Sequence, residues 1–208
     1  TPDEAFVKYL GTKKQLELAQ ELDRFYRRIK SSVVLFMNQP EPKGFGNAID
    51  TTKSFAGEEP FMVHAGDDLI VSKNNNHLTK LMNTFTKYDA EVAFYVERVS
   101  DPTRYGVISG KKVAAGVHKV ESIIEKPLVP PSNLAVVAIY ILTPAIFQAI
   151  EETQPDKNGE TQLTDAIMNL IRQKRGVYAV ELNQNEKRID VGTPESYRKA
   201  LAITYDLG

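Results

Sequence analysis

The sequence predicts an α/β domain in which helices cover a mixed sheet, and three observations carry that reading. Short β-branched or aromatic runs alternate with stretches of helical period, several of those runs are apolar on both faces, and residues 91–142 string strand-like runs together with no helical pattern between them. Interleaved helix and strand periods mean layered α/β architecture. Strands apolar on both faces suit the middle of a sheet covered on each side. Strands that follow one another without a helix must be joined by short connections, so part of the sheet is expected to be antiparallel.

In chain order, Leu18, Leu22, Phe25 and Ile29 give a first amphipathic helix, and residues 33–37 (VVLFM) a first strand. Gln39-Pro-Glu-Pro-Lys-Gly44-Phe-Gly46 reads as a turn stiffened by two prolines, with a glycine pair leading into a helix. Residues 61–65 (FMVHA) form a strand in which His64 reads as a hydrogen-bonded core residue. Leu78, Leu81, Met82 and Phe85 repeat the helical period, and residues 91–99, 106–109, 117–125 and 134–142 read as strands. Leu163, Ala166, Ile167, Leu170 and Ile171 give a helix stopped by Gly176, residues 177–182 a strand, and Thr193-Pro194 a cap followed by proline at a first helical turn.

The composition narrows the class of function. At 208 residues the chain suits one well-packed domain. Lys+Arg (26) balance Asp+Glu (27), which argues against nucleic acid or a membrane surface as partner. Zero cysteines exclude disulfides and thiolate metal sites and fit a cytosolic protein. The longest apolar run, residues 134–142, falls far short of the roughly 20 residues that cross a bilayer. With no secretory pattern at the start, a cytoplasmic protein is expected.

The chemistry gathers where polar groups interrupt these elements. Asp67 and Asp68 follow an apolar strand directly, and an ionised carboxylate buried without a partner costs several kcal/mol. Gly66-Asp67-Asp68 therefore faces either water, as a plain turn, or a cation. Asp190, in Arg188-Ile-Asp-Val-Gly-Thr-Pro194, also follows a short apolar stretch and precedes a helix start. Magnesium takes one or two protein carboxylates and completes its shell with water and phosphate oxygens, a demand that two such residues at neighbouring strand ends would meet. Adjacent side chains on an extended segment point to opposite faces, so Asp67 and Asp68 are not expected to ligate one ion together. A glutamine amide at position 39 has a donor and an acceptor side by side, as the imide edge of uracil or thymine requires. Pro127 biases Lys126 toward extended backbone, which should make Glu125 and Lys126 diverge. One could then bond sugar hydroxyls while the other meets a phosphate; the plainer reading is a surface ion pair. Arg104-Tyr-Gly106 and Asn158-Gly-Glu-Thr-Gln-Leu-Thr-Asp165 set polar groups beside a glycine, and in the second Thr161 or Thr164 serves equally as a helix cap.

The order of these motifs is more specific than any one of them. Q-x-x-P-x-G-x-G, GDD, RYG, EKP, PSNLAVVAIYIL, GETQLTD and R-x-D-x-G-T-P, running from Gln39 to Thr193, resemble the sugar-1-phosphate nucleotidyltransferases, and among them the bacterial and archaeal UTP–glucose-1-phosphate uridylyltransferases. The resemblance implies a Rossmann-like three-layer nucleotide-diphospho-sugar transferase fold with a mixed, mostly parallel central sheet, and a Mg²⁺-dependent reaction of UTP with glucose 1-phosphate. Carried over by motif, Gln39 and Gly44 would hold the base, and Asp67 and Asp190 the magnesium. Asp68 would contact the nucleotide, Glu125 the sugar hydroxyls and Lys126, as the catalytic group, the sugar phosphate. Tyr105 and Gly106 would line the sugar pocket, with Glu160 a further sugar contact. A homodimer or homotetramer is implied as well. The family's N-terminal strand and glycine-rich G-x-G-T-R loop are missing from residues 1–208, which are expected to form a single nucleotidyltransferase domain without them. Ala138 stands where relatives carry glycine near the sugar. A thymidylyltransferase taking dTTP with a hexose 1-phosphate, and an inactive nucleotide-sugar-binding or regulatory subunit, are the alternatives.

Overall fold

The computed structural model describes residues 3–205. Where one domain is expected, the chain divides into two compact units, one up to Asn38 and one from Gln39. The first is a helical hairpin of α1 (Glu4–Thr12) and α2 (Leu16–Lys30). Asp3 caps α1 by accepting from the Phe6 N–H, and α2 places Glu17 in its first turn and Arg27, Arg28 and Lys30 in its last, each complementing the helix dipole. The strand expected at 33–37 is not formed: these residues join no sheet, and Phe36 is 96% exposed. β-propensity alone is insufficient without a neighbouring strand to pair with.

The second unit runs α3 (Phe45–Asp50), α4 (Lys53–Ala56), β1 (Phe61–His64), β2 (Asp68–Val71), α5 (Asn76–Lys87), β3 (Val92–Arg98), β4 (Gly106–Ala114), β5 (Val117–Glu125), β6 (Leu134–Leu142), α6 (Ala145–Glu151), α7 (Leu163–Arg172), β7 (Val177–Glu181), β8 (Lys187–Asp190) and α8 (Pro194–Tyr205). Six strands form a sheet in the order β1-β6-β3-β7-β5-β4, and β2 and β8 form a separate antiparallel pair. The sheet is mixed, but it is mostly antiparallel where a mostly parallel one is expected, since only β3 and β7 run parallel among the described residues. The reason lies in the connections. The parallel partners β3 and β7 lie far apart in the chain, with β4, β5, β6, α6 and α7 between them, whereas β3 to β6 follow one another without an α-helix, as short antiparallel connections allow.

Three layers result, as the strand patterns require. Val92, Phe94 and Val96 of β3 alternate onto one face, with Val136 and Tyr140 of β6 against Ile146, Phe147, Ala166 and Ile167 of α6 and α7. Ala93 and Tyr95 go to the other face, with Val137, Ile139 and Leu81 of α5. β1 lies at the sheet edge, and there His64 is exposed rather than a core residue, because an edge strand turns alternate side chains to water. The β3–β6 register slips after Phe94, which pairs with Tyr140 while Tyr95 pairs with Val137. This bulge leaves Ala138 out of the β3 ladder. Ser132, from the PSN motif, ties β6 to β4: its hydroxyl donates to the Ile108 carbonyl and accepts from the Leu134 N–H.

Candidate active site

A cavity of about 220 Å³ opens where β2, β8, the start of β4 and the end of β5 meet the middle of β6 and the start of α7. Six of the ten expected site residues line it: Asp67, Asp68, Tyr105, Gly106, Glu125 and Asp190. Asp67 sits in the turn between β1 and β2, and its carbonyl accepts from the Val191 N–H at 2.8 Å, which joins the two carboxylate-bearing segments. Asp190 ends β8; its Oδ1 accepts from the Gly192 N–H at 2.8 Å and the Ser196 hydroxyl at 3.1 Å. A Cβ placed on Gly192 would lie 3.1 Å from Asp67 Oδ2 and 3.3 Å from Asp190 Oδ1, so both carboxylates border one small space. The Asp67 carboxylate has no side-chain hydrogen bond or ion pair among the described residues. Two carboxylates of this kind suit a divalent metal ion that takes its remaining oxygens from phosphate and water. Among the described residues, no group of three or more His, Cys, Asp or Glu side chains could hold a metal unaided.

Asp68 is engaged differently. It is 4% exposed, and its carboxylate accepts from Arg188 Nε at 2.6 Å, Arg188 Nη2 at 2.9 Å and the Ala138 N–H at 3.0 Å. The β6 bulge is what frees that last donor. Burial opposes the Arg188 charge, but the hydrogen bonds and attraction of Asp68 outweigh it and hold the guanidinium above its ordinary pKa. The same guanidinium lies over the Tyr105 ring, 5.0 Å from its centre. Burial, reinforced by the charges of Glu125 and Asp68, pushes the Tyr140 hydroxyl of the cavity wall well up.

Glu125 ends β5, with Oε2 accepting from the Thr164 hydroxyl at 3.2 Å and Oε1 3.7 Å from Lys126 Nζ. Gly106 leaves no room for a side chain, since a Cβ there would come within 2.9 Å of Thr164 and 3.2 Å of Glu125 Oε2. Thr161 and Thr164 do not cap α7, whose N-cap is Gln162 without a side-chain bond. Thr164 serves Glu125, and the Thr161 backbone bonds to Lys43 and Gly46.

Four expected residues stand outside the cavity lining. Lys126 adjoins Glu125, with its side chain 65% exposed. Its backbone is left-handed (φ 41°), not extended: proline disfavours the right-handed helix, and the Lys126 N–H prolongs the β4–β5 pairing onto the Tyr105 carbonyl. Gln39 donates to the Gly44 carbonyl and to Asn47 Oδ1, bracing the turn in which Gly44 takes φ 94°. Glu160 Oε2 accepts from Gln162 Nε2. Arg188, Thr164 and Tyr140 line the cavity without being singled out as site residues from the sequence. For Arg188 a signal existed, its i, i+2 spacing from Asp190 on one strand face.

Comparison with known proteins shows the family. A family model described as nucleotidyl transferase matches residues 6–206. The chain is 37% identical over 207 residues to a Bacillus subtilis relative, covering 98% of this chain and 71% of that protein. It is 37% identical over 175 residues to the UTP–glucose-1-phosphate uridylyltransferase of Pseudomonas aeruginosa, covering 82% of this chain and 62% of that one. A crystal structure of UDP-glucose pyrophosphorylase complexed with UDP-glucose superposes with a TM-score of 0.83 at 34% identity, over 92% of this chain and 73% of that chain. The chain thus spans roughly two thirds of the length of the relatives it matches.

Proposed function

The chain belongs to the nucleotidyl transferase family, and from that premise we propose that it forms UDP-glucose and pyrophosphate from UTP and glucose 1-phosphate. The observation that carries this reading is the meeting of Asp67 and Asp190 at one space, in the cavity that Glu125, Tyr105 and Gly106 also line. A sugar phosphate is ionised near neutral pH, so its attack on the α-phosphorus needs no general base. It needs two anions held in line and their repulsion suppressed. Magnesium held by Asp67 and Asp190 would supply charge neutralisation at the triphosphate. Lys126, exposed beside Glu125, would meet the sugar phosphate as a point charge. Glu125, its far oxygen fixed by Thr164, accepts from sugar hydroxyls over the floor that Gly106 keeps open. Gln39, with its amide carbonyl unused in the turn, and the Gly44 backbone receive the uracil, while Glu160 extends the sugar contacts. Asp68, held by Arg188, reaches the nucleotide only as part of the wall.

No helix among the described residues is long and apolar enough to cross a membrane. The reading places the protein in the cytoplasm as a homodimer or homotetramer, which light scattering of the purified chain would check. Pyrophosphate release across a panel of UTP, dTTP and other nucleotides with several hexose 1-phosphates tests the activity. The expected outcome is fastest release with UTP and glucose 1-phosphate; faster release with dTTP reassigns the base, and none with any pair ends the proposal.

A further inference from the structure

We propose that the Asp68–Arg188 ion pair is a clamp that sets the carboxylates of Asp67 and Asp190 around one divalent cation, which makes Arg188 a positioning residue for the reaction proposed above. The inference rests on that reading.

Across the β2–β8 ladder Asp68 lies directly opposite Asp190, and like charges placed so repel. Asp67 adds a third carboxylate beside them. Arg188 is the diagonal neighbour of Asp68, two residues before Asp190 on the same strand face. Its fork engages both oxygens of Asp68, with side chains only 10% and 5% exposed. The guanidinium is also flanked by the Tyr105 ring and by Glu97 Oε2 at 3.8 Å, and its hydrogen bonds to a carboxylate go to Asp68, with none to Asp190 among the described residues. Asp68 also holds the Ala138 N–H, which pins the β2 end to the β6 bulge. One guanidinium therefore neutralises one of three carboxylates and fixes the start of β2, which the turn residue Asp67 directly precedes, against β8, which carries Asp190. What remains is Asp67 and Asp190 facing one space with two negative charges. That balance suits a divalent ion.

The test compares Asp68→Asn, Arg188→Gln and the double variant in the purified chain. Removing one partner of a buried pair strands the other charge, while removing both does not. Each single variant should therefore unfold at a lower temperature and the double variant should recover. Mn²⁺ binding in the presence of UTP, read from the electron paramagnetic resonance of free Mn²⁺, should stay weakened about 10- to 100-fold in the double variant, the range for losing an outer-shell support. Wild-type Mn²⁺ affinity in a folded double variant overturns the clamp. If that variant does not fold, Arg188→Lys, which keeps the charge and loses the fork, decides. Weakened Mn²⁺ binding there supports the clamp, and unchanged binding overturns it. Asp190→Asn is run in parallel. Unchanged Mn²⁺ binding by that variant overturns the two-carboxylate metal reading and the clamp with it, whereas weak binding there beside wild-type binding in the double variant overturns the clamp alone.

Discussion

Lys126 is the residue on which the proposed chemistry puts its largest single demand. Its ammonium is exposed beside Glu125 on a left-handed backbone, a conformation costing about 1–3 kcal/mol for a non-glycine residue. Such strain persists only where surrounding structure enforces it, here the Lys126 N–H bond to Tyr105 and the following proline. Lys126→Ala should lower turnover about 10²–10³-fold, the range for deleting one electrostatic group of a transition state. A steady-state assay of pyrophosphate release measures it. Asp190→Asn should raise the magnesium concentration needed for half-maximal rate, since one of two carboxylates loses its charge. A magnesium titration that matches the wild type would remove Asp190 from the metal site. Asp67 is legible in the sequence because it follows an apolar strand, where burial would penalise it, Asp190 because it stands just before a helix start, and Glu125 through the Glu-Lys-Pro motif. For Arg188 the i, i+2 spacing from Asp190 is the one signal, and its partner Asp68 is met only once β2 and β8 pair.

At the scale of elements, the turn into α3 shows how a weak motif gains meaning from packing. Gly44 takes φ 94°, and a Cβ there would lie 2.7 Å from the Thr161 carbonyl oxygen. Gly57 is also left-handed, at φ 62°, but a Cβ there would meet nothing within 4 Å. Gly57→Ala should thus cost about 1–3 kcal/mol from backbone strain alone, and Gly44→Ala clearly more. Calorimetry should place the Gly44→Ala midpoint lower by several degrees, at about 2–4 °C per kcal/mol for a chain of this size. Equal midpoints for the two variants would show that Thr161 yields freely. The long strands β5 and β6 have the bounds the sequence predicts: β6 buries a nearly continuous apolar run, while β5 buries Val117, Val120 and Ile123 among mostly exposed or half-buried polar positions. β2 (DLIV) and β8 (KRID) escaped notice, being four residues each, partly charged and defined by each other. The run at 33–37 shows the converse, strong propensity with no partner.

For the molecule as a whole, two buried tyrosines tie stability to alkaline pH. Tyr95 is fully buried, donating its hydroxyl to the His77 carbonyl at 2.7 Å, and Tyr140 is 4% exposed in the cavity wall. Burial, then nearby carboxylates (Glu186 for Tyr95, Glu125 and Asp68 for Tyr140), raises both far above the ordinary value near 10. The unfolded chain therefore loses these protons from about pH 10 upward while the folded chain keeps them. With fewer protons bound in the unfolded state, stability falls as pH rises, by about 1.4 kcal/mol per pH unit for each group. Absorbance titration of the nine tyrosines should show two that ionise only together with unfolding, as followed by circular dichroism. Tyr95→Phe separates this effect from packing. It loses one buried hydrogen bond, so it should be about 1 kcal/mol less stable at neutral pH. Yet it should lose stability less steeply above pH 10, because one of the two linked protons is gone. Curves for wild type and variant that stay parallel through that range would show that Tyr95 titrates alike in both states, and that burial does not protect it.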